Sequence, residues 1–335
     1  MTTEVENFFE DRFPVVLFAY NRPNHLQKTL DALSANNGAH ITDLYVFCDG
    51  PKNFKDAIEV ARVKEIIDAI SGFRKVIKDF SIENRGLANS VMRGVSEVLR
   101  ENEAVIVLED DIITNSSFLD FMQKALHTYK QRLDIFSVTA YNYPLDFRKN
   151  VTRELYLSYR SSSWGWGTWK SCWSKVDWDV GIFDQIKNNP ETRKMFERGG
   201  EDLFPMLEKQ MKGEIDSWSI RFDVAHFENN ATCLHPINSR VSNIGFDGTG
   251  AHSVTSTEYD VKISPDYVPI PNMPIDIEVD YALLQTFDAH FRPRFMNRSA
   301  DSMIIRYSDY FRQKLIVKIE KSIILMKIFR IWKKL

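Results

Sequence analysis

The chain has 335 residues, of which 44% are hydrophobic and 13% aromatic, and a formal net charge of -3 at pH 7. Its length and apolar content are enough for one large or two modest globular domains, and its charge gives no electrostatic reason to expect a nucleic-acid partner. The three cysteines are widely separated and odd in number, which argues against a disulfide framework or a cysteine-rich zinc site and fits a reducing compartment. No apolar run approaches the roughly 18 residues of a membrane span, and the N-terminus has no secretory pattern.

Between residues 14 and about 139, short apolar runs alternate with segments of helical period. The predicted strands are PVVLFAY, DLYVFCD, RKVIKDFSI, AVIVLED and DIFSVTA. The predicted helices between them are NHLQKTLDALSAN, residues 54–71, LANSVMRGVSEVLREN and SSFLDFMQKALHTYKQR. This alternation predicts an α/β fold with a mostly parallel sheet flanked by helices. Asn24, with Gln27 three residues later, predicts a capping box at the start of the first helix.

Three adjacent carboxylates, Glu109, Asp110 and Asp111, follow directly on the apolar run AVIVL. In open α/β sheets ligands bind beyond the carboxyl ends of the strands, where this triplet is predicted to lie. The three carboxylates repel one another, and a Mg²⁺ or Mn²⁺ ion shared with a substrate phosphate would give their arrangement a purpose. The alternative is a solvated turn whose acids cap the next helix, although residues 114–117 already supply cap candidates.

Seven stretches then occur in one order over roughly residues 14 to 252: FAYNRPNHLQKTLDAL, FCDG, VIVLEDDI, SVTAYN, SWGWGTW, IDSWSIRF and HPINSRVSNIG. In these stretches the chain resembles glycosyltransferases of the GT-A fold, and most of all the β-1,2-N-acetylglucosaminyltransferase I family, whose acidic motif is likewise Glu-Asp-Asp. The resemblance implies a Rossmann-like GT-A domain that holds a nucleotide-sugar through Mn²⁺ or Mg²⁺.

The resemblance also implies roles for single residues on the donor side. Glu109 would contact the transferred sugar, Asp110 the ribose, and Asp111 would ligate the metal. Asp49 matches the position that reads the uracil edge, and Arg22 matches a position near the diphosphate. Without the resemblance, Asp49 could simply form a turn and Arg22 could be a surface charge.

Asp216 is the candidate catalytic base. Inverting sugar transfer needs a carboxylate that takes the acceptor hydroxyl proton, and Asp216 matches the base-bearing Trp-Asp-x-Trp stretch of the family. Ile215 stands where that stretch has tryptophan, a departure that concerns acceptor contacts. The alternative role for Asp216 is the N-cap of the helix SWSIRFDVAHF.

Four further residues are weaker candidates. Trp164 and Trp166 could pack their indoles on the sugar, or they could belong to an aromatic core under a loop. Arg240 could offset diphosphate charge or pair with a surface carboxylate. His252 could complete the metal shell, although most isolated histidines do not bind metals.

The resemblance predicts a catalytic domain over residues 12–255, with a nucleotide-sugar-binding half (12–140) and an acceptor half (141–255). Residues 256–300 are predicted to be a surface extension, and residues 301–335 a basic amphipathic C-terminal helix. From Phe311 onward, eight Lys or Arg residues accompany one Glu, a composition typical of a helix in the membrane interface. The alternative is a helix that packs on the catalytic domain or on a partner subunit.

The sequence therefore predicts a metal-dependent, inverting glycosyltransferase that moves N-acetylglucosamine or another hexose from UDP to a glycan or lipid-linked acceptor. Because no amino-terminal anchor is evident, we expect a bacterial surface-polysaccharide enzyme, cytoplasmic and peripheral on the inner face of the cell membrane. The alternatives are a sugar nucleotidyltransferase, disfavoured by the glycine-free YNRPNHLQ after the first strand, and a non-catalytic glycan-binding or scaffold protein at the membrane.

Overall fold

A mixed eight-stranded sheet forms the centre of the computed structural model, which describes residues 12–145, 153–249, 255–264 and 266–291. The strands are β1 (Val15–Ala19), β2 (Asp43–Cys48), β3 (Lys75–Phe80), β4 (Ala104–Glu109), β5 (Ile112–Thr114), β6 (Ile135–Thr139), β7 (Leu155–Ser158), β8 (Trp166–Trp169), β9 (Thr232–Pro236) and β10 (Val241–Asn243). Their order in the main sheet is β3-β2-β1-β4-β8-β6-β9-β7, and β5 pairs with β10 in a separate ribbon. In the main sheet β7 and β8 run against the other six strands, which confirms the mostly parallel α/β prediction.

Ten α-helices connect these strands within the described residues. They are α1 (Pro23–Ser34), α2 (Phe54–Asp68), α3 (Leu87–Val98), α4 (Phe118–Tyr129), α5 (Lys170–Trp173), α6 (Phe183–Asn188), α7 (Pro190–Phe196), α8 (Leu203–Met211), α9 (Trp218–Glu228) and α10 (Tyr281–His290). All described residues belong to one compact unit whose boundary follows Arg292. No helix of this described part is long and apolar enough to cross a bilayer.

Helices cover both faces of the sheet, because alternate strand residues enter two separate cores. In β1, Val15 and Leu17 pack in the core that contains α1, α2 and α4. Val16 and Phe18 instead pack in the core that contains α3 and α9. The period of two along a strand explains this division, and it makes both faces of β1 fully apolar.

The strand order has a switch point between β1 and β4, because β2 and β3 lie on one side of β1 and β4 lies on the other. Val15 pairs with Leu44 of β2 on one side and with Ile106 of β4 on the other. The chain first builds β2 and β3 outward and then crosses back to place β4 next to β1. In such sheets the loops after the two central strands diverge and leave a crevice at their carboxyl ends.

Two helix starts differ from the sequence interpretation. The predicted capping box of Asn24 and Gln27 is wrong, because α1 has Arg22 at its N-cap, no side-chain cap and a proline in its first turn. Pro23 needs no N–H partner there and its fixed φ suits the first helical position. At α9 the cap is Ser217, whose side chain accepts from the Ile220 N–H, so Asp216 does not serve as the N-cap.

The segment assigned to a surface extension contributes to the core. Met273 and Ile277 are buried in the core of α1, α2 and α4, and α10 buries Phe287. Side chains of the main body also donate to its carbonyls, as Tyr129 Oη does to Pro274 O at 3.0 Å. Residues 256–264 and 266–291 therefore pack against the rest of the described chain, and this segment is called the packed strap. The predicted C-terminal helix at 301–335 lies outside the described residues.

One buried histidine makes stability depend on pH. His226 lies between Phe222 O, 2.8 Å from Nδ1, and Ser137 Oγ, 2.8 Å from Nε2. A carbonyl can only accept, so Nδ1 carries the proton and Nε2 accepts from the serine. Burial lowers the pKa of His226 to about 4. Between about pH 4 and the ordinary histidine pKa of about 6.5, His226 is therefore protonated in the unfolded chain but neutral in the folded chain.

Lowering the pH should therefore destabilise the wild type more than a His226→Gln variant, which has no imidazole to protonate on unfolding. The free energy of unfolding of the wild type, relative to the variant, should fall by about 2 kcal/mol between about pH 7 and pH 5. Urea unfolding of both proteins at the two pH values measures this difference, in which the titration of all other groups cancels. Equal pH dependence in the two proteins would contradict the assignment of a neutral buried imidazole.

Candidate active site

A cavity of about 370 Å³ opens at the carboxyl ends of the first strands of the sheet, which is within the range of small-molecule sites. Loops after β1, β2, β3 and β4 form most of its wall, and the turn after β10 closes one side. The lining residues are Phe18, Ala19, Tyr20, Asn21, Arg22, Phe47, Asp49, Lys52, Asn84, Gly86, Leu87, Ser90, Glu109, Asp110, Asp111, Asn243, Gly245, Phe246 and Thr249. The acidic triplet thus faces a cavity at the switch point between β1 and β4, as the strand-end rule predicts.

The triplet is held in a poorly solvated position. Asp110 accepts from the Tyr20 N–H at 3.2 Å, and its carbonyl accepts from Thr29 Oγ at 2.8 Å. Burial raises the pKa of Asp110 to about 6, with the charge of Arg22 opposing it. Burial, together with the two neighbouring carboxylates, raises the pKa of Glu109 to about 8. The protein therefore keeps these acids close together at an electrostatic cost that a bound cation would relieve.

Arg22 is the one basic side chain paired with the triplet among the described residues. Its Nη2 contacts Asp110 Oδ1 and lies 2.9 Å from Asp111 Oδ2. Because its raised pKa keeps Glu109 largely protonated near neutral pH, the charged members of the triplet are chiefly Asp110 and Asp111, and the single guanidinium offsets only part of their charge. Arg22 also lines the cavity. The position near a diphosphate that the resemblance implies for it stays a prediction.

Asp111 retains an unpartnered oxygen. Its side chain is buried, and Oδ1 has no hydrogen-bond partner while Oδ2 pairs with Arg22. A desolvated carboxylate oxygen without a donor is suited to a metal ion. Within the described part of the chain no group of three or more His, Cys, Asp or Glu side chains is arranged to hold a metal. Asp110 and Asp111 supply at most the one or two carboxylates with which proteins hold Mg²⁺ or Mn²⁺ beside substrate phosphates and water.

Gly245 packs directly against this carboxylate. The Ile244 N–H donates to Asp111 O at 2.9 Å, which brings the turn after β10 over the triplet. A Cβ atom at Gly245 would lie 2.1 Å from Asp111 Oδ2. Only glycine leaves the Asp111 side chain where it is.

Asp49 lines the cavity from the end of β2, and the protein uses both of its oxygens. Oδ1 accepts from the N–H groups of Gly50 and Arg85 at 2.9 Å, and Oδ2 from Gly86 N at 2.9 Å and Asn84 Nδ2 at 3.0 Å. These bonds fix the loop 84–86 that forms one wall of the cavity. Base recognition by Asp49 stays a prediction.

Asp216 lies at the rim of the cavity, next to the lining residue Gly86, and is not itself among the described residues that line it. Its side chain is 54% exposed and accepts from Arg221 Nη2 at 2.5 Å. The other oxygen is 3.9 Å from the position that a Cβ of Gly86 would occupy, and Gly86 lines the cavity. The ion pair with Arg221 holds the carboxylate at this rim, so it could receive a proton from a molecule that approaches the cavity from solvent.

The two tryptophan candidates lie on opposite faces of the sheet. Trp166 is fully buried, with its ring 4.7 Å from that of Trp218, and it packs in the core of α3 and α9. Trp164 packs against the core of α1, α2 and α4 and lines a second cavity. Phe246 lines both the first and the second cavity. Trp166 therefore has no access to a ligand in either cavity, and Trp164 does.

Of the remaining two candidates only Arg240 belongs to the described residues, and it does not lie at the triplet. Arg240 is buried, and its guanidinium donates to Ser117 Oγ and to the carbonyls of Val268 and Pro269. These bonds anchor the packed strap, and Arg240 is absent from the lining of the cavity within the described residues. His252 lies outside the described residues, so its role as a metal ligand stays a prediction.

The sequence interpretation missed most of the other cavity residues, and three of them, Tyr20, Lys52 and Asn84, follow strands. Asn84 follows β3, as Tyr20 follows β1 and Lys52 follows β2. The strand-end rule that selected the acidic triplet applies equally to these positions. Arg221 also went unnoticed, and its i+5 spacing from Asp216 carries no sequence signal, because the contact depends on the turn into α9.

The chain matches no protein-family model and no curated protein. Among solved structures it is similar to TarS of S. aureus, with 12% identity, a TM-score of 0.40, and 69% of this chain and 36% of that chain covered. TarS 1-349 in complex with UDP gives 11% identity and a TM-score of 0.41 over 69% of this chain and 60% of that one. The mannosyltransferase PcManGT from Pyrobaculum calidifontis, in complex with GDP-Man and Mn²⁺, gives 14% and 0.37 over 64% and 74% of the two chains. Likenesses at these levels assign neither a family nor an activity to the chain.

Proposed function

We propose that this protein is a metal-dependent, inverting glycosyltransferase that transfers a hexose, such as N-acetylglucosamine, from UDP to a glycan or lipid-linked acceptor. One observation carries the proposal. Three acidic side chains line a cavity at the switch point of the sheet, Arg22 offsets only part of their charge, and Asp111 Oδ1 is buried without a hydrogen-bond partner.

The charges of the cavity support a cation-dependent anionic ligand. Its lining contains the carboxylates Asp49, Asp110 and Asp111, the acid Glu109, whose raised pKa keeps it largely protonated at neutral pH, and the basic side chains Arg22 and Lys52. Because acids outnumber bases, a diphosphate alone would be repelled. Asp111 would hold Mn²⁺ or Mg²⁺, which when bound supplies charge neutralisation for the leaving diphosphate. Arg22 and Lys52 contribute positive charge beside it.

Asp216 is proposed as the base. The acceptor hydroxyl gives its proton to the carboxylate while its oxygen forms a bond to the anomeric carbon. The bond from that carbon to the diphosphate oxygen breaks on the opposite face, and its electron pair leaves with UDP. Arg221 keeps the carboxylate oriented for this step through the 2.5 Å contact.

The sugar, the acceptor and a role in bacterial surface-polysaccharide synthesis are proposed on the resemblance of the sequence to the β-1,2-N-acetylglucosaminyltransferase I family. The location on the inner face of the cell membrane is proposed because a basic and apolar segment at 301–335 suits an anionic lipid surface.

A thermal-shift screen tests donor binding directly. A ligand that binds only the folded protein raises Tm, by an amount that grows with its concentration over Kd. UDP-sugars with Mn²⁺ should raise Tm, and GDP-, dTDP- and CMP-sugars should do so less. No shift with any nucleotide-sugar in the presence of Mn²⁺ would contradict the proposed function.

A Gly245→Ala substitution should impair the site without unfolding the protein. The new methyl group must displace the Asp111 carboxylate, since it would lie 2.1 Å from Oδ2. A displacement of about 1 Å in a reacting assembly can cost roughly 100-fold in rate, and we expect a loss of that order in UDP-sugar turnover. Gly181→Ala, whose Cβ would lie 3.1 Å from the exposed Asp177 carboxylate, is the matched control and should retain activity. Full activity of the Gly245 variant would show that the position of Asp111 is unimportant.

A further inference from the structure

A second cavity, of about 250 Å³, is lined mainly by residues of the predicted acceptor half, 141–255. It is about the volume of eight water molecules, enough for one monosaccharide ring. Phe246 lines both this cavity and the first cavity, at the acidic triplet, which we call the donor cavity. Ser219, in the first turn of α9, lines it as well, three residues after Asp216. Asp216 lines neither cavity among the described residues, but it lies next to Gly86 of the first cavity and three residues before Ser219 of the second.

Aromatic rings form one wall of the second cavity. Trp164 packs edge-to-face with Phe246 at 5.5 Å and with Tyr259 at 5.8 Å, and all three line the cavity. These contacts hold Trp164 rigid within a cluster instead of leaving it free to collapse into the space. A fixed indole and its neighbours offer the apolar faces on which the C–H surface of a sugar ring packs.

A buried carboxylate forms part of the polar wall. Asp223 is 6% exposed and lines the cavity, and its Oδ1 accepts from the Ser161 N–H at 2.7 Å. Burial raises the pKa of Asp223 to about 6, so the group is mainly ionised at neutral pH. Ser161 and Ser162 beside it add buried hydroxyls.

Arg160, the cation of this cavity, is already engaged. It donates to both oxygens of Asp202, at 2.8 and 2.9 Å, and its guanidinium lies 4.0 Å from the centre of the Phe291 ring. With Asp202 and Asp223 near one arginine, the local charge is negative. An anionic ligand would be repelled, whereas a hydroxyl could donate to Asp223.

We propose that this second cavity binds a neutral sugar ring of the acceptor, with Asp223 accepting from its hydroxyls and the Trp164 cluster packing on its face. The inference rests on the proposed function and adds the acceptor class: an uncharged monosaccharide unit, and not a uronic acid or a polyol phosphate. Binding there brings the acceptor to the rim where Asp216 lies.

Saturation-transfer NMR on the full chain tests the proposal with two sets of probes. The neutral probes are the methyl glycosides of glucose, galactose and N-acetylglucosamine, and the anionic probes are methyl glucuronoside and glycerol 3-phosphate. Neutral glycosides should receive saturation and the anions should not. Asp223→Asn, which keeps an acceptor for the Ser161 N–H, should weaken neutral binding by about 10-fold or more, because a charged acceptor is lost.

Ser219→Leu should block the same binding by filling the cavity, and Ser34→Leu, at an exposed position of α1, is its control. Anionic probes that bind as well as neutral ones, or neutral binding unchanged in both Asp223→Asn and Ser219→Leu, would overturn the proposal. So would the absence of any glycoside signal from protein that binds UDP with Mn²⁺. Glycoside binding by protein that binds no nucleotide would support this site while contradicting the proposed function.

Discussion

Replacing Asp111 with asparagine should reduce UDP-sugar turnover on the order of 100-fold or more, because the buried oxygen suited to a metal loses its charge. The Mn²⁺-dependent increase in Tm with UDP should disappear in parallel. Arg22 would still pair with Asp110, so the variant should fold. Titration of turnover against Mn²⁺ for both proteins measures the effect.

Asp120 provides the matched control for that substitution. It is also a buried aspartate paired with an arginine, with Arg12 Nη2 2.8 Å from its Oδ1, and it is not among the residues that line the donor cavity in the described part of the chain. Asp120→Asn should lower stability but leave the Mn²⁺ requirement and turnover per folded molecule intact. Equal turnover in Asp111→Asn and wild type, or full wild-type activity in excess chelator, would contradict the metal assignment.

Asp216→Asn should abolish transfer while donor binding persists. Loss of a general base costs about 100- to 10,000-fold in rate, and the fall should appear in kcat while the KM for the UDP-sugar changes little. An asparagine can still accept from Arg221, so the rim of the cavity should keep its shape. Steady-state kinetics with donor and acceptor varied separately makes the measurement.

Asp134→Asn controls for the loss of an exposed ion pair. The Asp134 side chain is 57% exposed and lies 2.7 Å from Arg132, against 54% and 2.5 Å for Asp216 and Arg221. Its kcat should equal that of the wild type. A normal kcat in Asp216→Asn would exclude Asp216 as the base, and Glu214 and the pair Glu201–Asp202 would become the candidates.

The acidic triplet could be predicted because it depends on local sequence. A buried β-branched strand followed at once by carboxylates places those carboxylates at a sheet edge, and α/β topology makes that edge a ligand site. Arg22 and Asp49 were selected by the resemblance and not by this rule, but they follow β1 and β2 at the same edge and line the cavity. None of these positions requires knowledge of distant contacts.

The tryptophans show why local sequence is not enough. Trp164 and Trp166 are two residues apart, and an unbroken strand would put them on one face. Gly165 has φ of +59°, which turns the chain, and the two indoles enter opposite cores. A side chain at Gly165 would also meet Val241 at 2.8 Å, so glycine is required for close packing as well as for its dihedral angle.

Long-range pairing was equally invisible in the sequence. Arg240 anchors the strap through the carbonyls of residues 268 and 269, and Arg160 meets Asp202 from 42 positions away. Residue type indicated only that each arginine needs acceptors, and the fold determined which ones. For the same reason the second cavity had no sequence motif, since its wall combines loops, α9 and the strap.

Anomalous diffraction at the manganese edge, from crystals grown with UDP and Mn²⁺, tests the central claim most directly. An ion in the donor cavity, about 2 Å from an Asp111 oxygen and in contact with the diphosphate, is the expected result. UDP bound in this cavity with no anomalous peak at Asp111 would contradict it.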